Sequence, residues 1–145
     1  MQAAATSDPE LSRIEAALVR GKQSAEGRLR LAIFSASMQQ VSKSGASPSL
    51  ASVSAAIIAG LEGPSLNDGA TVSAMFFLLA TLLPSISDPV LRVHAQAVSR
   101  RVTQALSKHA DVVPVLRWAC PVLSRLLLCQ VTQPFLVHIC FRHSS

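Results

Sequence analysis

Residues 87–108 read SDPVLRVHAQAVSRRVTQALSK, and residues 7–20 read SDPELSRIEAALVR. Both open on Ser-Asp-Pro, and the second copy begins 80 residues after the first (87 against 7). Proline is tolerated in the first turn of a helix, because the amide hydrogen it lacks would have no partner there. A Ser or Asp just before it accepts from the orphan amides that follow. Each copy therefore opens a helix, with Asp8 and Asp88 expected as cap residues. Beyond the shared opening, Leu11 matches Leu91, Ala17 matches Ala97, Leu18 matches Val98 and Arg20 matches Arg100. A third opening signal, Ser47-Pro48-Ser49, lies almost midway. Starts near 8, 49 and 88 are spaced by 41 and 39 residues, close to the HEAT or armadillo helical hairpin of about 40–47 residues.

Working outward, hydrophobic periodicity predicts six helices. The first runs from Pro9 to Arg20, with Leu11, Ile14 and Leu18 on one face, a Ser7/Glu10 capping box competing with Asp8-Pro9 as cap and first turn, and Gly21 as a left-handed stop. The second spans about Ala25–Ser42 on the stripe Leu29, Ile33, Phe34, Met38 and Val41, with Arg28 and Arg30 near its start. The third covers Ser49–Leu61, with Leu50, Val53, Ile57 and Leu61 at helical spacing. The fourth, Gly69–Leu83, is almost wholly apolar and is the expected centre of the core, stopped by Pro84. The fifth, Pro89–Lys108, buries Leu91, Ala95, Val98, Val102 and Ala105. The sixth starts from Asp111 as N-cap, is kinked at Pro121, and runs on through Leu126 and Leu127.

The fold expectation is all-α: an α-solenoid of about three antiparallel hairpins, 8–42, 49–84 and 88–128, within a domain covering 1–128. The tail from 129 to 145 breaks the pattern at Val131-Thr132-Gln133-Pro134. A solenoid ending at the sixth helix leaves an apolar face uncapped. The chain is therefore expected to be a fragment of a longer superhelix or a truncation product, and to self-associate.

Composition narrows the function. The 145 residues are 50% hydrophobic and 14% charged, with 13 Lys+Arg against 8 Asp+Glu and a net charge of +5. A basic surplus favours anionic partners, RNA or acidic proteins among them. Three cysteines, Cys120, Cys129 and Cys140, without a C-x-x-C pair fit a reducing compartment rather than a disulfide framework. The first residues carry no basic-then-apolar secretory signal. The uncharged run Gly69–Ser87 invites a membrane-span reading, but Ser73, Thr81, Pro84 and Ser85 dilute it.

Catalysis finds no support in the residues. There is no G-x-S-x-G elbow, no phosphate-cradling glycine loop and no H-E-x-x-H. His138, Cys140 and His143 form an H-x-C-x2-H cluster, and Cys129 or a more distant residue would have to complete a tetrahedral zinc set. That spacing matches no common finger, so neither a metal nor a cofactor is expected. The remaining signal is cationic: Arg92, Arg100, Arg101 and Lys108 along the fifth helix, with Arg117 and Arg125 on the sixth. Repeated cations along one face can contact phosphates. Without interleaved aromatics, single-strand base stacking is not expected.

Three segments carry a family resemblance: AMFFLLATLLP at 74–84, SDPVL at 87–91 and VLRWAC at 115–120. In that order they resemble the N-terminal HEAT-repeat region of ribosomal RNA-processing protein twelve and its relatives. The resemblance covers about residues 70–128 and not the tail. It implies a nuclear or nucleolar scaffold in pre-ribosome maturation and export, binding pre-ribosomal RNA or assembly proteins without catalysis. The runner-up expectation is a generic armadillo or HEAT adaptor for protein partners, and a less favoured one is a small membrane-associated protein spanning near 69–87.

Overall fold

The computed structural model describes residues 9–61 and 68–130, without the side chains of His94 and Gln130. Six α-helices account for most of them: α1 Pro9–Arg20, α2 Ala25–Lys43, α3 Leu50–Ala59, α4 Gly69–Leu82, α5 Asp88–Lys108 and α6 Val113–Gln130. A single 3-10 turn, Leu83–Ser85, continues α4 through Pro84. No strand occurs among the described residues. The Ser7 and Asp8 caps and the His138, Cys140 and His143 cluster lie outside the described residues.

Helix α4 is the hub. It packs against both α2 and α6, and each consecutive pair, α1–α2, α3–α4 and α5–α6, is also in contact. Helix α3 touches α2 as well as α4, and α5 touches α3. The sequence explains the centrality of α4. Its Val72, Ser73, Ala74, Met75, Phe76, Leu78, Leu79 and Leu82 are all buried, which needs neighbours on more than one side. Each fully buried Leu or Phe contributes about 1.5–3 kcal/mol. As a span, α4 fails: its 14 residues rise only about 21 Å, short of a hydrocarbon core about 30 Å thick. Among the described residues no helix is long and apolar enough to cross a membrane.

The flanking helices bury the stripes their periodicity predicts. Leu11, Ile14 and Leu18 close α1, and Leu91, Ala95, Val98, Val102 and Ala105 close α5, all buried. Three helix starts are capped by side chains. Ser24 accepts from Gly27 N at 2.9 Å. Ser49 and Ser52 bond reciprocally, each accepting from the other's amide. Asp68 accepts from Ala70 N and from the Thr71 hydroxyl, at 3.3 and 2.6 Å. That hydroxyl, more than any other contact, holds the Asp68 carboxyl below its ordinary value.

Several local expectations change. Asp88 is not a cap: Ser87 occupies that position in extended conformation, without a side-chain cap bond, and Asp88 is the first helical residue. Asp111 is not the cap of α6, which begins two residues later, where Val112 O accepts from Val115 N and Leu116 N. Gly21 does not adopt the left-handed conformation. Among the described residues only Gly45 does, at φ 90°, just beyond the end of α2. Helix α6 runs on through Pro121. Proline removes one backbone bond there, at an exposed position.

Candidate functional site

The cationic face expected from the sequence divides in two. Half-buried Arg92 donates its Nε to Cys129 O at 2.9 Å. Half-buried Arg101 donates to Ile58 O at 2.8 Å. Arg125 donates Nε to Leu83 O at 3.1 Å and Nη2 to Ile86 O at 2.6 Å, and pairs through Nη1 with Asp88 at 2.8 Å. Ile58, Leu83 and Cys129 lie in or just beyond the last turns of α3, α4 and α6, where intrahelical amides run out, and Ile86 lies in the link between α4 and α5. Ile58 O and Leu83 O already accept from Leu61 N and Ile86 N, so a guanidinium there adds a second donor and opposes the negative end of the helix dipole. These three arginines are structural clamps. Of the expected site residues, Arg100, Lys108 and Arg117 are exposed.

Sequence reasoning missed a second group. Arg30 of α2 lies over the Phe77 ring of α4, 3.8 Å from its centroid, and 5.8 Å from that of Trp118 on α6. Phe77 and Trp118 meet edge to face, centroids 4.8 Å apart and planes at 86°. A cation over aromatic faces is worth about 0.5–2 kcal/mol, more as water is excluded. This cluster stitches α2, α4 and α6 together, with Arg30 covering one face of the Phe77 ring. Arg28, the other cation near the start of α2, turns back to Lys22 O and Gln23 O at 3.3 and 3.1 Å. Both arginines thus have partners that offset an unfavourable place in the helix dipole. Neither partner could be read from helix periodicity, because one is a turn carbonyl and the other sits on a different helix.

Beside the cluster, the N-terminal ends of α2, α4 and α6 border an open groove of about 330 Å³. Leu29, Ala70, Ala74, Val112 and Pro114 line it, and Glu26 and Arg30 are its charged members. Its chemistry is that of an apolar contact surface. Cys129 is buried, its Sγ donates to Leu126 O at 3.2 Å, and burial pushes its thiol up. Among the described residues no group of three His, Cys, Asp or Glu side chains is placed to hold a metal ion.

Comparison with protein families, with curated proteins and with solved structures finds no match for this chain.

Proposed function

We propose that the chain is a non-catalytic helical-repeat scaffold whose three helix pairs stack as a short HEAT-like or armadillo-like solenoid. The observation that carries this reading is the reach of the clamps. Arg101 and Arg125 of the third pair bond Ile58 and Leu83 of the second, across 43 and 42 residues, and Arg125 also bonds Ile86 in the link that joins them. Bonds displaced by one repeat length between neighbouring units are what a stack of similar hairpins requires. The placement of α4 between α2 and α6 supports the same arrangement.

Together with the sequence resemblance, the exposed Arg100, Lys108 and Arg117 support a role in pre-ribosome maturation, in the nucleus or nucleolus, through contact with RNA phosphates. With Arg92, Arg101 and Arg125 engaged by carbonyls, the RNA-facing charge is smaller than the sequence count suggests, and binding is non-specific. The test is retention of single-stranded RNA by the full chain across a salt series. Arg100→Glu with Arg117→Glu is expected to weaken binding and to flatten the logarithmic salt slope by about 0.7 for each phosphate no longer neutralised. Unchanged affinity and slope would remove RNA from the reading. The apolar groove at the starts of α2, α4 and α6 favours the second reading, a protein adaptor, for which those charge reversals would leave partner capture intact.

A further inference from the structure

Helix α6 has two apolar faces. Val115, Ala119, Val122 and Leu126 are buried in the core. A second stripe, Val113, Leu116, Cys120, Leu123 and Leu127, repeats at intervals of three and four residues. Leu123 is half-buried, but Val113, Leu116 and Leu127 are 63%, 39% and 57% exposed, and Cys120 is an exposed free thiol. On a helical wheel this stripe lies opposite Trp118, the residue that meets α4 through Phe77. It therefore faces outward at the end of the α2–α4–α6 series, where one more helix would continue the packing.

We propose that a second copy of this chain supplies that helix, α6 pairing antiparallel with its partner's α6 across a two-fold axis beside Cys120. The stripe is self-complementary about that point. The axis sets Val113 opposite Leu127 and Leu116 opposite the 123–124 step of the other copy, so apolar side chains meet along the seam. An isologous contact needs this palindromic arrangement of one patch. The stripe itself contains no charged residue, and Arg117 borders it on one side. Arg117 and Arg125 are the only charged residues of α6, and Arg125 is turned inward to Asp88. The two Arg117 side chains are offset by about 9 Å along the axis. Head-to-tail growth is disfavoured because α2, at the other end of the series, exposes Arg28, Ala32, Ala36, Gln39 and Gln40 and offers no matching apolar stripe. The pairing therefore closes at two copies. It does not depend on RNA binding.

The two-fold brings the Cys120 residues together. Helix axes about 8–10 Å apart with Cα atoms about 2.3 Å from each axis leave facing Cα atoms about 3.4–5.4 Å apart, which at the wider axis spacing reaches the span of a disulfide. The experiment uses the full chain. Sedimentation in reductant should show a reversible monomer–dimer equilibrium, with no larger species. Leu116→Glu with Leu127→Glu, both at exposed positions, should raise the dimer dissociation constant at least a hundredfold while the helical circular dichroism is retained. Diamide, which accepts the two protons and two electrons released by a thiol pair, should link Cys120 to Cys120 across copies. Cys120→Ser should abolish that link without changing sedimentation. In the Cys120→Ser background, chains carrying Val113→Cys should cross-link with chains carrying Leu127→Cys, and neither should do so with its own kind.

A monomer at high concentration would overturn the proposal, and so would 113–113 links, dimers insensitive to the glutamates, or open-ended oligomers. If deleting residues 131–145 turned a monomer into a dimer, the stripe's occupant would be that apolar tail, and the proposal would also fail.

Discussion

Arg125→Met is expected to lower stability by about 3 kcal/mol, which for a chain of this size moves the thermal midpoint down by about 10 °C. The guanidinium bonds two backbone carbonyls, Leu83 O and Ile86 O, and the Asp88 carboxylate. A hydrogen bond from a charged donor is worth about 1.5–3 kcal/mol. The Arg125 side chain is 16% exposed and that of Asp88 37%, so water screens part of the ion pair and the pair adds little. Methionine preserves most of the packing of the stem but leaves the carbonyls without this donor. Arg125→Lys should recover less than half of the loss, because one ammonium cannot span three acceptors set in a fork. Equilibrium urea unfolding measures both. A methionine variant as stable as the parent would show that the clamp does not hold the second and third helix pairs together.

Gly27→Ala carries the second large effect, and its sign separates helix propensity from packing. In an exposed helix interior, alanine in place of glycine stabilises by about 1 kcal/mol. Here Gly27 is buried in the first turn of α2, under the α1–α2 connection. A Cβ built on it would lie 1.8 Å from Gly21 O and 2.8 Å from the Gly21 carbonyl carbon. Both are backbone atoms, so relief requires the connection itself to move and the Ser24 cap with it. Overpacking of this kind costs about 1–3 kcal/mol, and the expected outcome is a net loss near the upper end. Denaturant unfolding with a lower midpoint and unchanged slope is the expected observation. A stabilised Gly27→Ala variant would show that α1 and α2 are not joined this closely.

The helices and their buried faces were legible because a core stripe repeats within one element. Leu91, Ala95, Val98, Val102 and Ala105 can be seen on a helical wheel without knowing what covers them. The uses of charge were not legible. Nothing in the neighbourhood of Arg101 names Ile58, 43 residues earlier, and nothing near Arg30 names Phe77. An arginine on a helix flank has the same local pattern whether it meets solvent, a phosphate or the end of another helix. Asp88 shows a finer limit. Cap and first-turn residue differ by one position, and Ser-Asp-Pro satisfies the grammar of both. The partner that Asp88 finds, Arg125 on α6, belongs to the tertiary structure alone. Gly27 was silent for a similar reason: a glycine within a helical pattern reads as a mild cost, and only the path of the preceding turn makes it a requirement.

The fold rests on the order α2–α4–α6, and the most direct test of that order is a nuclear Overhauser spectrum of the full chain. Trp118 is the chain's one tryptophan, so its indole signals are assignable without ambiguity. The arrangement predicts cross-peaks between the Trp118 and Phe77 rings, and Arg30 side-chain protons shifted upfield by the Phe77 ring current. A folded chain with neither the Trp118–Phe77 cross-peaks nor the Arg30 shift would contradict the stacked arrangement.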